Sequence, residues 1–270
     1  MFLISCLIGL IIIILIFLVI CIAGREKNFE AEKFLKFRYA HRGLHNAERP
    51  ENSLAAFSAA ADKGYAIELD VHLMRDNSLA VIHDSSLKRT VGDSRRIEEL
   101  TRAEIKDIKL LGIDEHIPTL REVLELVDGR VPLLIELKAE KNAKCLCSAL
   151  MYELRDYKGA YCVESFDPRC LLWMKKNAPK VVRGQLAQNF LKNGENLSFP
   201  LRLILTLLTF NIATQPDFVA FRYTDRKCIP NALSKGFWQN KGFAWTITDM
   251  SDLEKAEKEG YAVIFEAIEP

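Results

Sequence analysis

The sequence has almost no net charge. Its 37 Lys and Arg residues balance 36 Asp and Glu and leave +1 at neutral pH. A nucleic-acid surface needs a basic excess or a local Lys/Arg cluster, and the chain has neither, so nucleic acid is excluded as a partner. No G-x-G-x-x-G and no P-loop follows any apolar run, which weighs against a nucleotide-binding fold. The cysteines lack a framework. Cys6 and Cys21 lie in an N-terminal apolar stretch, and Cys145, Cys147, Cys162, Cys170 and Cys228 are odd in number and irregularly spaced, as reduced thiols are. The C-x-C at 145–147 has no second Cys/His pair at zinc spacing, so a thiolate metal site is not expected. At 270 residues and 49% hydrophobic composition, the chain can bury one sizeable core.

Charge is absent altogether from Phe2 to Ala23. As a helix rising about 1.5 Å per residue, this stretch spans roughly 33 Å, enough for a hydrocarbon layer of about 30 Å. It is apolar all round, unlike a core helix with one buried face. No Lys or Arg precedes it and no small-x-small cleavage site follows, unlike a signal peptide. Cys21 follows Leu18, Val19 and Ile20, a poor lipoprotein site. The expectation is an uncleaved single-pass anchor over 1–24, a polar connector over 25–37 and a catalytic domain over 38–270. Arg25, Lys27, Lys33, Lys36 and Arg38 follow the anchor, and the positive-inside rule then puts the domain in the cytoplasm.

After the connector, short apolar runs alternate with helical patterns. The runs are FRYA (37–40), AIELDV (66–71), LAVIHD (79–84), VPLLIEL (131–137), AYCVESF (160–166), VVRGQL (181–186), DFVAF (217–221), FAWTIT (243–248) and AVIF (262–265). Strand and helix in alternation predict a parallel sheet covered by helices. A parallel crossover needs a dozen or more residues, and only seven separate Val71 from Leu79. LAVIHD is therefore expected to turn back on AIELDV as a hairpin. Removing it leaves eight parallel strands, the number that closes a (β/α)₈ TIM barrel, with an open doubly wound sheet as the alternative.

Barrel chemistry gathers at the C-terminal ends of the strands. Those ends carry His41 and Arg42, Glu68 and Asp70, His83 and Asp84, and Glu136 and Lys138. Glu68 and Asp70 are two residues apart on a strand and point to one side, as do Glu136 and Lys138. A hairpin centred between Asp76 and Asn77 puts His83 opposite Asp70. Three carboxylates at one mouth repel one another unless a hard divalent cation binds them, and oxygen donors suit Mg²⁺ or Ca²⁺, with Mn²⁺ also accommodated. His45, His72 and His116 read as surface or structural histidines.

These residues resemble the glycerophosphodiester phosphodiesterases. The matching pieces are AHRG (40–43), PENS (50–53), ELDV (68–71), HD (83–84), PTLREVLEL (118–126), IELK (135–138), SF (165–166) and WTIT (245–248), spread over nearly the whole domain. The resemblance implies a TIM barrel, a divalent metal and hydrolysis of a glycerophosphodiester to an alcohol and glycerol 3-phosphate. It implies that Glu68, Asp70 and Glu136 hold the metal, that His41 and His83 share acid and base duty, and that Arg42 and Lys138 bind phosphate oxygens. Glu51 and Asn52 would stand beside the metal and its ligands, and Trp245 would wall the pocket, with a buried core tryptophan as the alternative. The tail GYAVIFEAIEP (260–270) lacks the family's usual aspartates, and Thr248 stands where an Asn is common. Both departures bear on the alcohol half of the substrate. A lysophospholipase D-type activity on membrane glycerophospholipids is the alternative function, and a non-catalytic membrane scaffold a remote one. The apolar stretch 198–213, interrupted only by Arg202 and Asn211, is expected to be a barrel helix packed on the outside, with a bilayer-touching loop as the rival.

Overall fold

The computed structural model describes residues 29–270, apart from 141, 195 and 237–240, and a few scattered positions before residue 29. Most of the segment expected to be the anchor, 1–24, lies outside the described residues. Among those described, no helix is long and apolar enough to cross a membrane.

Nine strands form one sheet: β1 Arg38–Ala40, β2 Ala66–Leu73, β3 Leu79–Val81, β4 Leu133–Leu137, β5 Tyr161–Ser165, β6 Arg183–Ala187, β7 Phe218–Arg222, β8 Lys241–Ile247 and β9 Ala262–Phe265. Eight of them are parallel and close into a barrel, because β1 pairs with both β2 and β9. The ninth, β3, is antiparallel on the outer edge of β2. The closed ring excludes the open-sheet alternative.

The register puts alternate residues of each strand inside the ring. Tyr39, Ala66, Leu134, Cys162, Val182, Leu186, Phe218, Ala220, Phe243, Ala262 and Ile264 form one apolar cluster there. The helix Phe29–Phe34 joins it through buried Ala31 and Phe34, and the Tyr39 hydroxyl donates to the Phe34 carbonyl at 2.9 Å. The interior is thus plugged from the N-terminal side, and only the C-terminal mouth keeps polar side chains. The outward residues of the strands pack on the helices in a second, larger cluster. Those helices start where the sequence caps them. Ser53 accepts from the Ala56 N–H before Leu54–Asp62, and Thr119 with Glu122 makes a reciprocal cap before Leu120–Val127.

The hairpin forms, with a register one residue from expectation. Val71 pairs with Val81, His72 with Ala80 and Leu73 with Leu79, so the centre is Asp76 and Ile82 faces Asp70. The cause is the turn. Asn77 adopts φ +63°, a left-handed conformation that Asn tolerates, and the Asp76 carboxylate accepts from the Ser78 N–H. His83 reaches Asp70 because it leaves the ladder, not because it pairs across it. The excursion is also larger than a hairpin. Residues 82–117 fold over β3 with a core of their own, built from Met74, Ile82, Leu87, Ile97, Leu100, Ile105, Leu110 and Ile117.

Candidate active site at the barrel mouth

The mouth is organised by two turns. After β1, Arg42 adopts φ +56° and Gly43 φ +80°. A Cβ on Gly43 would stand 2.9 Å from the backbone and Cβ of Ala56, so only glycine fits there. The turn aims the Arg42 N–H at Glu68 Oε2 (2.9 Å) and lets the Arg42 carbonyl accept from the Asn52 N–H (2.9 Å). Asn52, itself at φ +54°, donates its side-chain amide to Asp70 Oδ2 at 2.8 Å. The PENS segment therefore clamps one metal-type carboxylate while it starts a helix.

Glu68, Asp70 and Glu136 are all buried, and each offers an oxygen within 4.8 Å of the others. Lys138 reaches into them, with Nζ 2.7 Å from Glu136 Oε1 and 3.1 Å from Asp70 Oδ1. Burial raises the Asp70 carboxyl, but Lys138, His83 and Arg42 outweigh it and hold Asp70 well below the usual carboxylate range. Glu68 is pushed well up by burial and by the charges of Asp70 and Glu136. Burial also lifts Glu136, against the pull of Lys138, to about 7. Three oxygens this close, two of them driven toward protonation, are what a hard cation would relieve, and Lys138 partly plays that cation. The donor set fits a divalent metal.

A bound cation needs ionised ligands, so protons compete with it. In the metal-free fold the raised Glu136 pKa means that the folded chain holds this proton more tightly than the unfolded chain does. Its stabilising contribution is therefore present below the ordinary Glu value and lost as pH rises through about 7. Metal binding runs the other way. The rise in melting temperature on adding Mg²⁺ should be large at pH 8 and shrink as pH falls through 7. Thermal scans with and without metal at each pH check this, and an increment independent of pH would contradict it.

His41 and His83 stand beside the triad, His41 next to Glu68 and His83 next to Asp70, each with a carboxylate behind it. His41 Nδ1 is 2.8 Å from Glu266 Oε2, and its Nε2 is 3.9 Å from Glu68 Oε2. His83 Nδ1 is 2.7 Å from Asp84 Oδ1. Burial lowers both imidazoles, more than Glu266 or Asp70 raises them. Each carboxylate accepts the Nδ1 proton of the ring in front of it, which leaves Nε2 as the nitrogen available for proton exchange. Beyond His83 the rim continues as a chain of ion pairs. Asp84 binds Arg89, Arg89 binds Glu51 through two nitrogens, and Glu51 binds Arg42 Nη1 at 2.9 Å. Arg42 Nε is left buried, without a hydrogen-bond partner among the described residues and 3.6 Å from Asp70.

All seven residues expected to act, His41, Arg42, Glu68, Asp70, His83, Glu136 and Lys138, thus meet at one mouth, and Glu51 and Asn52 brace them. Trp245 is half-buried. Its N–H donates to the Ala220 carbonyl (2.9 Å) and its ring meets Phe166 edge-on at 5.7 Å, so it is anchored in the interior cluster and lines the mouth at once. His116 sits apart and pairs with Glu122 of a helix cap. His72 and His45 are nearer than expected. His72 contacts both Glu98 (2.8 Å) and the His83 carbonyl (3.0 Å), and His45 Nε2 is 3.5 Å from Glu266.

Sequence reasoning missed Glu266, Arg89 and Glu164. Glu266 follows β9 directly, the same position from which His41 follows β1, so its place was a usable signal. Glu164 pairs in register with Glu136, is fully buried, and is pushed well up by burial and by the charges of Glu68 and Glu136. Glu266 is held well below the usual range by its hydrogen bond with His41 and by the His45 ring 3.5 Å away. Because Glu266 raises the His41 pKa, Glu266→Gln should lower it and move to lower pH the limb of the rate profile that His41 sets, the acid limb if it is the base and the alkaline limb if it is the acid. A limb that stays in place would show that Glu266 does not act through His41.

The sequence profile of the glycerophosphoryl diester phosphodiesterase family matches residues 41–260, nearly all of the barrel. The chain belongs to this family. It is 30% identical over 236 residues to a glycerophosphodiester phosphodiesterase of Caldanaerobacter subterraneus, covering 82% of this chain and 89% of the relative. A lysophospholipase D of Rattus norvegicus shares 32% identity over 124 residues, 41% of this chain and 39% of that protein. Among solved structures, a phosphodiesterase of Oleispira antarctica in complex with the product sn-glycerol-3-phosphate superposes with a TM-score of 0.72 at 25% identity. That match covers 87% of this chain and 94% of the other. A Thermotoga maritima glycerophosphodiester phosphodiesterase gives 0.65 at 25% identity over 85% and 93%. The family's barrel and its diesterase activity are those of this chain.

Proposed function

We propose that this glycerophosphodiester phosphodiesterase cleaves its diester to an alcohol and glycerol 3-phosphate by metal-assisted acid–base catalysis. Glu68, Asp70 and Glu136 would hold the cation, Mg²⁺ or Ca²⁺ by donor chemistry and Mn²⁺ next. When bound, the cation polarises a phosphoryl oxygen and neutralises charge that builds in the transition state. Arg42 and Lys138 bind the remaining phosphate oxygens, so that the dianionic transition state meets fixed positive charge rather than mobile water. One imidazole, unprotonated at Nε2, accepts a proton from the attacking hydroxyl, which is that of water or of the substrate's own glycerol. The other, protonated at Nε2, delivers its proton to the departing alkoxide oxygen. When the glycerol hydroxyl attacks, water then opens the cyclic phosphate, with the roles of the two rings exchanged, to give glycerol 3-phosphate. Glu266 and Asp84 keep each ring turned for this and favour its cationic form. The observation that carries the proposal is the pair of carboxylate-backed imidazoles beside one buried, all-oxygen triad.

The uncharged stretch 2–23 supports a single-pass membrane anchor, and the basic residues after it support a cytoplasmic catalytic domain. The test of function is a panel of glycerophosphodiesters and lysophospholipids with purified full-length protein and added Mg²⁺, Ca²⁺ or Mn²⁺, assayed for glycerol 3-phosphate. Release from at least one diester is expected. No release with any cation would leave a non-catalytic barrel.

A further inference from the structure

The connection between β6 and β7 carries the helix Phe199–Thr206, FPLRLILT, and it is folded inside out. A helix packed on a barrel turns its apolar face inward and its charge to water. Here Phe199 is 66% exposed, Leu201 38%, Leu203 37% and Ile204 38%. The one charged side chain, Arg202, turns inward instead. Its Nε donates to the Phe190 carbonyl at 2.8 Å and its Nη2 to the Leu191 carbonyl. The expected packed barrel helix is therefore not what residues 199–206 form, although Leu208, just beyond, is buried. Leu191, Ile212 and Ile229 are also exposed, and Lys192 and Lys227 are exposed with them. From 196 to 216 the sequence has no acidic residue.

Two observations say what covers this face. The first is where the uncharged N-terminal stretch meets the domain. Ile22, near its end, is buried against Ala187, Leu208, Val219 and Phe221, and its carbonyl accepts from Asn211 Nδ2 at 3.4 Å. Ile22 thus ties the end of the uncharged stretch to the same β6–β7 connection, while Ile16 and Ile20 before it are exposed. The second is continuity with the mouth. Phe190, whose carbonyl holds Arg202, meets Phe166 edge-on at 5.9 Å, and Phe166 meets Trp245.

We propose that Phe199, Leu201, Leu203 and Ile204, with Leu191, Ile212 and Ile229, form a bilayer-contacting face that seats the barrel mouth on the lipid headgroups and feeds the site diesters carried in the membrane. The delivery part rests on the phosphodiesterase reading of the mouth. An amphipathic surface of this kind enters the interfacial zone by apolar burial, with the flanking lysines drawn to anionic headgroups.

The test uses full-length protein in vesicles of phosphatidylcholine and phosphatidylglycerol. Leu203→Trp should show emission quenched by brominated acyl chains, beyond the quenching of the native tryptophans. The double variant Phe199→Asp/Ile204→Asp should keep its melting temperature and its turnover of a soluble glycerophosphodiester. Its turnover of a lysophospholipid in the same vesicles should fall by about tenfold or more, the factor that about 1.4 kcal/mol represents. Absence of added quenching overturns the proposal, as does a double variant that loses stability and both activities together. Emission of the Leu203→Trp variant that follows protein concentration in detergent and ignores lipid would assign the face to a second copy and also overturn it. Lipid quenching with no turnover of any diester by the wild type would leave the docking face standing and remove the activity on which delivery rests.

Discussion

Asp70→Asn and Glu68→Gln should each abolish metal binding and turnover together while the barrel stays folded. Both substitutions remove one ionised oxygen donor and keep the shape of the side chain. Shape matters at Asp70, which is fully buried and meets Lys138 at 3.1 Å, Arg42 at 3.6 Å and Asn52 at 2.8 Å. Removing the side chain outright would strand two buried cations, a loss of about 3–5 kcal/mol for a broken buried pair, against a total stability of about 5–15 kcal/mol for a domain. Asparagine keeps the side chain's volume and one of its two oxygens, for Lys138 on one side or for Asn52 and Arg42 on the other, so lost activity there can be told from lost folding. Glutamine at 68 likewise still accepts the Arg42 N–H. Titration calorimetry with Mg²⁺ and far-UV circular dichroism check the pair of claims. Near-normal turnover by either folded variant in the presence of chelator would end the metal assignment.

The second large effect is at the imidazoles. His41→Ala and His83→Ala should each lower kcat by about 10²–10⁴-fold, the usual contribution of one positioned acid or base, with metal affinity retained. His116→Ala should have no such effect, because His116 pairs with Glu122 in a helix cap outside the mouth. His45→Ala should fall between them, since His45 shares Glu266 with His41. The gradation follows contact with the reacting atoms, then contact with the carboxylate that turns His41, then neither. Equal losses at all four positions would mean general unfolding and would sink the acid–base assignment.

The triad and its lysine were legible because strand parity is a strict rule. Glu68 and Asp70, or Glu136 and Lys138, two apart on a strand must share a face, and the only face that tolerates them is the barrel mouth. The strand count was legible for a similar reason, since one seven-residue connection could not cross over. The hairpin register was not, because a single residue in the left-handed region, Asn77, shifts the whole ladder by one. The carboxylates behind the imidazoles divide in the same way. Asp84 is adjacent to His83 in sequence, but Glu266 reaches His41 only because β9 and β1 are neighbours in the closed ring. Helix 199–206 was misjudged because composition shows that a segment is apolar and does not show which way it faces. Its inversion depends on Arg202 finding backbone carbonyls to satisfy it on the inner side.

The most direct measurement of the central claim is glycerol 3-phosphate release from a soluble glycerophosphodiester by the purified full-length protein, stripped with chelator and then reloaded with Mg²⁺, Ca²⁺ or Mn²⁺ in turn. The triad and the two histidines predict no release from the stripped enzyme and full recovery with at least one of these cations. They also predict no recovery in Asp70→Asn. Release that persists in the stripped enzyme, or that Asp70→Asn supports as well as the wild type, would contradict the account.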